Sequence, residues 1–288
     1  MKIAVTGANG FIGQHIVAEL QRQSISVVLV VRDSSSLPVS LANHHVAIVD
    51  LQNPPLDSYQ LMGSPDVLIH LAWGGLQNYK SLHHFEEELP QQFKFLKLLI
   101  KSGLKNLVVT GTCFEYGMKS GELVEDTNAQ PTNPYGFAKD TLRSQLEYLQ
   151  QIEPFNLTWA RLFYLYGDGQ AENSLLSQLK RAVERGDKSF NMSGGEQLRD
   201  YLPVTEVAKY LVSLAIMRQD CQIINVCSGK PISVRKLVED WIKQNDWSIN
   251  INLGHYLYPN YEPMAFWGNC QKLNRYLEVK RADTSSLD

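Results

Sequence analysis

The sequence predicts a doubly wound α/β fold with a smaller C-terminal lobe. Three observations carry this. Short apolar, β-branched runs alternate with segments of helical spacing over the first 166 residues. A glycine-rich turn, TGANGFIG at residues 6–13, joins the first apolar run to the first helical segment. After about residue 167 the alternation loosens into turn-rich and aromatic stretches. Strands that alternate with helices imply a parallel sheet with right-handed crossovers.

The elements follow in order. Lys2 to Thr6 is a short buried strand, and Ile12, Ile16, Val17 and Leu20 recur at helical spacing after the turn. Val27–Val31, Val46–Val49 and Val67–Leu71 read as further buried strands. A helix covers residues 93–101 and stops at Gly103; Leu107–Thr110 is a strand, Tyr135–Gln150 a helix and Leu157–Leu162 a strand. Beyond residue 167, helices are expected over 175–185, 207–217 and 234–244, with a strand at 223–226. The last forty residues lack a clear period and end in the polar tail KRADTSSLD. The reading gives a dinucleotide-binding domain over 1–166 and a partly interleaved substrate lobe over 167–288.

Bulk composition narrows the function. The net charge of −3 excludes a nucleic-acid footprint built from bulk charge. Cys113, Cys221, Cys227 and Cys270 have no metal-type spacing, so no metal site is expected and a reduced, cytoplasmic protein is. Residues 1–31 do not read as a signal peptide, and no window is long enough to span a membrane.

The turn carries the first chemistry. Gly7 permits the tight bend, Gly10 lets backbone approach a diphosphate, and Gly13 lets the helix pack on the sheet. With Phe11 and Ile12 these residues open a helix whose N-terminus faces negative charge. The second strand ends VVRD. Arg32 there suits a ribose 2′-phosphate, which favours NADP(H) and leaves NAD(H) possible. Asp50 reads as a contact to the adenine edge or as a turn cap.

The second chemistry is NPYGFAK. Tyr135 and Lys139, four apart, share a helix face. An ammonium beside a phenol is expected to lower the phenol's pKa toward working range. Thr112, in VVTGTCFEYG, is the hydroxyl best placed to join them, with Thr110 its rival.

At this point the chain resembles the extended short-chain dehydrogenases/reductases that act on nucleotide sugars, with a Rossmann-like sheet. The motifs are TGANGFIG, Asp50-Leu51, HLA at 70–72, TGTCFEYG at 110–117, YGFAK at 135–139, RLFYLYG at 161–167 and RDYLPVTEVA at 199–208. The resemblance implies that Thr112, Tyr135 and Lys139 are catalytic. It implies that Leu51, Leu71, Ala72, Trp73, Thr110 and Phe163 line the cofactor. It implies that Trp73, Cys113, Phe114, Tyr135, Tyr164, Asn173 and Arg199 meet the substrate, Asn173 and Arg199 at its diphosphate. The family's asparagine near residue 88 is missing from EEELPQQF, and Tyr164 stands where many members have a smaller residue. No Asp-Glu pair follows Thr112, which counts against a dehydratase.

The resemblance is nearest to reductases of nucleotide-linked 4-keto-6-deoxyhexoses, such as those forming 6-deoxytalose. A 4-epimerase with tightly bound NAD and a non-catalytic nucleotide-binding regulator stand beside it as alternatives. The partner implied is a nucleotide sugar, and not a membrane or nucleic acid. A homodimer is expected through the helices near 90–101 and 137–150.

Overall fold

The computed structural model describes residues 1–33, 41, 44–258 and 262–285. Its first half runs β1 (Lys2–Thr6), α1 (Phe11–Arg22), β2 (Ser26–Val31), β3 (His45–Ile48), α2 (Ser58–Leu61) and β4 (Val67–His70). A π-type turn, His84–Glu88, leads into α3 (Leu89–Lys101). Then come β5 (Asn106–Thr112), a tight 3-10 turn (Cys113–Tyr116), β6 (Gly121–Leu123), α4 (Pro134–Gln150) and β7 (Asn156–Leu162). The second half holds β8 (Tyr164–Tyr166), α5 (Leu175–Glu184), β9 (Ser189–Asn191), β10 (Leu198–Pro203), α6 (Val204–Met217) and β11 (Gln222–Val226). It ends with β12 (Pro231–Ser233), α7 (Val234–Gln244), β13 (Asn250–Asn252), β14 (Phe266–Gly268) and α8 (Gln271–Ser285).

Seven strands pair in the order β3-β2-β1-β4-β5-β7-β11, all parallel. Their apolar runs are buried on both faces, which is why they read as continuous rather than alternating. One face is covered by α1, α6 and α8 through Ile16, Leu20, Val207, Leu211 and Leu273. The other is covered by α3 and α4 through Phe95, Leu96, Leu99, Leu142 and Leu146. A smaller core gathers Leu179, Phe190, Val238 and Trp241 from α5, β9 and α7.

Two elements depart from the sequence reading. β11 lies at the edge of the main sheet beside β7, although it follows residue 167. The aperiodic C-terminal stretch contains α8, where Leu273, Tyr276 and Leu277 pack on α6's side of the sheet.

The sheet order reverses direction between β1 and β4. In open parallel sheets the crevice beyond the strand ends at such a point is where ligands bind. Here it is formed by the TGANGFIG turn after β1 and by Leu71–Trp73 after β4.

Candidate active site

At the first wall, Gly7 holds φ +66°, a conformation open to glycine and strained for other residues. A side chain on Gly13 would run into the Gly7 carbonyl and Ala8, so the helix packs against the turn at backbone distance. Gly10 caps α1 with no side-chain hydrogen bond, and the first turn contains no acid. Phe11 and Ile12, both half-buried, open the helix. A cradle without side chains at an uncapped helix end fits a dinucleotide's diphosphate.

The β4 tip is tied to β1 by one hydroxyl. Thr6 Oγ1 accepts the amides of Leu71 (3.1 Å) and Ala72 (3.3 Å) and lies 2.9 Å from His70 Nδ1. With both amides on the oxygen, its own proton goes to Nδ1, leaving the His70 proton on Nε2. His70 is fully buried, and burial, with the Lys139 charge nearby, pushes its pKa down to about 3. At the far side of the crevice Arg32 is exposed at the β2 tip. Asp50 is half-buried and accepts the Gln52 amide (3.1 Å), and Leu51 packs on the core below.

The second wall starts at the end of β5, which runs two residues further than the sequence suggested and includes Thr112. Thr112 Oγ1 accepts the Phe114 amide (3.3 Å), and the Thr112 amide donates to Glu115 (2.8 Å), a reciprocal cap that fixes the tight turn. Glu115 is buried and also receives Trp159 Nε1 (3.0 Å) and Arg161 Nε (2.6 Å). Gly111 is required at the strand end before Thr112. A side chain there would overlap both the Trp159 indole and the Glu115 carboxylate. Glu115 is thus occupied as a brace for Thr112.

Asn133 caps α4 through the Gly136 amide (2.8 Å) and Pro134 opens it, which sets Tyr135 in the first turn. The Tyr135 ring lies in an aromatic box. Its centroid is 5.3 Å from Tyr79 (stacked), 5.2 Å from His84 and 6.0 Å from Trp73. Lys139 is buried, donates to the Thr110 carbonyl (2.9 Å) and sits 4.0 Å from the Trp73 ring centre. The Thr110 hydroxyl points instead to the His70 carbonyl (3.4 Å).

The expected lowering of the Tyr135 pKa by Lys139 is corrected here. Burial, then the nearby Tyr79, Glu115 and Cys113, push the phenol well above its usual value. Burial likewise pulls Lys139 down to about 7, against the opposing pull of Glu115 and Glu88. The ammonium is 6.0 Å from the Tyr135 ring centre and is engaged by the Thr110 carbonyl and the indole. Tyr135 is therefore a neutral phenol, the form that donates a proton.

The box was not legible in the sequence. Tyr79 and His84 lie in a stretch without period, and only residue type could have drawn attention to them. His84 accepts the Trp73 indole N–H (3.1 Å) and faces the Asn78 carbonyl (3.0 Å). Where many family members have asparagine, Glu88 is buried beside Gly74, accepts Gln92 Nε2 (2.8 Å) and lies 3.4 Å from His83 Nε2.

Of the residues expected to meet substrate, Cys113 is buried and its thiol is pushed up by burial. Phe114 lies 5.2 Å from Tyr79. Phe163 is buried among Tyr116, Phe266 and Cys227. The Tyr164 ring lies tilted against Tyr201 (5.2 Å) and Phe266 (6.0 Å). Asn173 is exposed just before α5. Arg199 is buried, its guanidinium paired with Glu262 (2.9 Å) and 4.5 Å from the Phe266 ring centre. Asp200 turns away from Arg199 to accept the amides of Ser228 (2.7 Å) and Gly229 (2.9 Å). Residues 259–261 of the aromatic stretch 256–267 lie outside the described residues.

Among the described residues, no cluster of His, Cys, Asp or Glu could hold a metal ion, and no helix is long and apolar enough to cross a membrane.

The model of the NAD dependent epimerase/dehydratase family matches residues 3–227, from the first strand through β11. The chain belongs to this family. Epimerase/dehydratase relatives include the dTDP-6-deoxy-L-talose 4-dehydrogenase (NAD(+)) of Aggregatibacter actinomycetemcomitans. It is 30% identical over 273 residues, covering 93% of this chain and 99% of the relative. The UDP-glucose 4-epimerase of Halalkalibacterium halodurans is 26% identical over 266 residues, covering 83% and 79%. Among solved structures, MoeE5 in complex with UDP-glucuronic acid and NAD superposes with a TM-score of 0.81 at 25% identity, covering 96% of this chain and 93% of that one. As a member of the epimerase/dehydratase family the chain is a nucleotide-sugar enzyme with a Rossmann sheet.

Proposed function

We propose that the chain reduces the C4 ketone of a nucleotide-activated 4-keto-6-deoxyhexose, with Tyr135 as proton donor. The observation that carries this is the placement of Tyr135 in the first turn of α4, its ring boxed by Tyr79, His84 and Trp73. A reductase needs an acid at the carbonyl oxygen, and a protonated phenol is one. The 4-dehydrogenase relative supports the choice of C4 and of a 6-deoxy sugar.

In this reading Gly7, Gly10, Phe11, Ile12 and Gly13 hold the cofactor's diphosphate, and Leu71–Trp73 line its nicotinamide half. When bound, the dinucleotide supplies the hydride that reaches C4. Thr112 and Tyr135 orient the carbonyl by hydrogen bonds to its oxygen, which strengthen as negative charge grows there. Tyr135 then gives its proton to the carbonyl oxygen, while Lys139, held by the Thr110 carbonyl and the Trp73 indole, takes the cofactor's ribose. Arg199 and Asn173 take the nucleotide's diphosphate end. NAD is the cofactor named with the relatives, so we take NAD(H) as the cofactor. Arg32, exposed at the β2 tip, remains the residue that would admit a 2′-phosphate. Residues 1–166 serve mainly the cofactor and 167–288 the sugar, in a cytoplasmic enzyme. Phe137 and Tyr148 of α4 are exposed apolar residues on the helix expected to pair in a homodimer.

The test is NADH and NADPH oxidation with dTDP-4-keto-6-deoxyglucose, with and without a 3,5-epimerase. Oxidation in either arm, lost by about 10²–10⁴-fold in Tyr135→Phe, is the expected result. A full-rate Tyr135→Phe enzyme would sink the assignment of the proton donor. No oxidation, together with tightly bound NAD in the purified protein, would point instead to a 4-epimerase, the activity named for the other relative.

A further inference from the structure

The Arg199 guanidinium has little left to offer a ligand. Of its five N–H groups, Nη1 donates to the Leu198 carbonyl (2.9 Å) and the Met264 carbonyl (3.2 Å). Nε (3.3 Å) and Nη2 (2.9 Å) both donate to Glu262 Oε2. One Nη2–H remains. The edge formed by Nε and Nη2 is the one that grips a carboxylate or phosphate with two parallel bonds, and Glu262 fills it. The pair is well enclosed: the Arg199 side chain is 3% exposed and that of Glu262 12%.

The two residues are held differently. Arg199 sits on β10, against Phe266 and under two carbonyls, so it keeps its place whatever happens to Glu262. On the other side, the backbone anchor to β10 is made by Met264, whose carbonyl accepts the Leu198 amide (2.9 Å), and by the bridge of Leu198 with Ala265. Glu262 reaches Arg199 by its side chain, two residues before that anchor. Rotation about its side-chain bonds can free the guanidinium edge with the strand contact intact. A buried guanidinium without a counter-ion is costly, so release requires another anion to arrive.

We propose that Glu262 sets the enzyme's affinity for nucleotide by competing with the diphosphate for the Arg199 edge. This rests on the reading above that Arg199 meets the nucleotide's diphosphate. The carboxylate keeps the buried cation neutralised and is exchanged for phosphate oxygens on binding.

The test is calorimetric titration of the full chain with dTDP and UDP, in wild type, Glu262→Gln and each change combined with Arg199→Lys. Glu262→Gln should bind the diphosphates at least tenfold more tightly. The gain should shrink to threefold or less in the Arg199→Lys background, because one ammonium has no two-pronged edge to release. An equal gain in both backgrounds would mean simple charge repulsion and overturn the exchange. Weaker binding by Glu262→Gln would make Glu262 a direct nucleotide ligand and also overturn it. Thermal melts of each variant separate these outcomes from misfolding, with Glu262→Ala as a second probe if the amide disturbs the fold. If neither diphosphate binds any form, the reading of Arg199 as a diphosphate ligand fails and the proposal falls with it. If the diphosphates bind wild type and only the gain is missing, that reading stands and the exchange alone is refuted.

Discussion

Lys139 illustrates a conflict between stability and function in a single side chain. Its ammonium is buried against an indole with one carbonyl as hydrogen-bond partner, and burial brings its pKa to about 7. The ordinary value is 10.5, so between pH 7 and 10.5 the unfolded chain binds a proton that the folded chain resists. The group therefore weakens folding at neutral pH, and stability recovers as pH rises through that window. Replacing it by Met removes the buried cation in nearly the same volume. Lys139→Met should abolish turnover yet raise the melting temperature at pH 7 by at least about 2 °C, the shift expected for roughly 1 kcal/mol in a chain of this size. A melting temperature that falls would show that the Trp73 and Thr110 contacts outweigh the desolvation. The Tyr135–Lys139 spacing was legible in the sequence because a helix face is a local property. The state of the two groups was not, because it depends on Tyr79, Glu115 and Trp73, which come from other elements.

The turn after β5 shows how one element supports another. Thr112 is aimed by Glu115, and Glu115 by Trp159 and Arg161 of β7, so the candidate active site rests on a buried ion pair one strand away. Glu115→Ala would strand Arg161 without its main partner. Loss of one member of a buried pair costs about 3–5 kcal/mol. The expected outcome is a matching drop in urea-denaturation stability, with kcat reduced more than substrate binding. An unchanged midpoint would show that Arg161 finds other partners. The sequence shows that no Asp-Glu pair follows Thr112, but not that Glu115 braces it. The partners of Glu115 lie 44 and 46 residues away, and parallel register set by the whole sheet brings them together. The same limit hid β11. A short stretch such as residues 223–226 is readable as a strand, but its neighbour in a parallel sheet is a matter of long-range topology.

Across the whole molecule, two buried bases shape the response to pH. His70 titrates near pH 3 in the folded state against 6.5 for a free histidine, so the unfolded chain takes up a proton that the folded one refuses between those values. Stability should then fall on acidification from pH 6.5 toward 3, by up to ~1.4 kcal/mol per unit from this residue. Lys139 acts in the same direction above pH 7. Urea midpoints measured across pH 4–10 should rise with pH through both windows. His70→Gln should flatten the acid limb alone, and an acid limb unchanged in that variant would refute the assignment. The fold class and the order of the early strands were legible because β-branched runs and glycine turns are local signals. The pairing of Arg199 with Glu262, 63 residues apart, was not.

The edge position of β11 also bears on synthesis. The strand that closes the sheet beside β7, and the helices α6 and α8 that cover one of its faces, are made after most of the chain has left the ribosome. A nascent chain ending near residue 166 carries β7 as an open edge and the side of the sheet facing α1 only partly covered, both invitations to mispairing. The sheet that begins with β1 is therefore expected to reach its final packing only once α6, β11 and α8 have been translated.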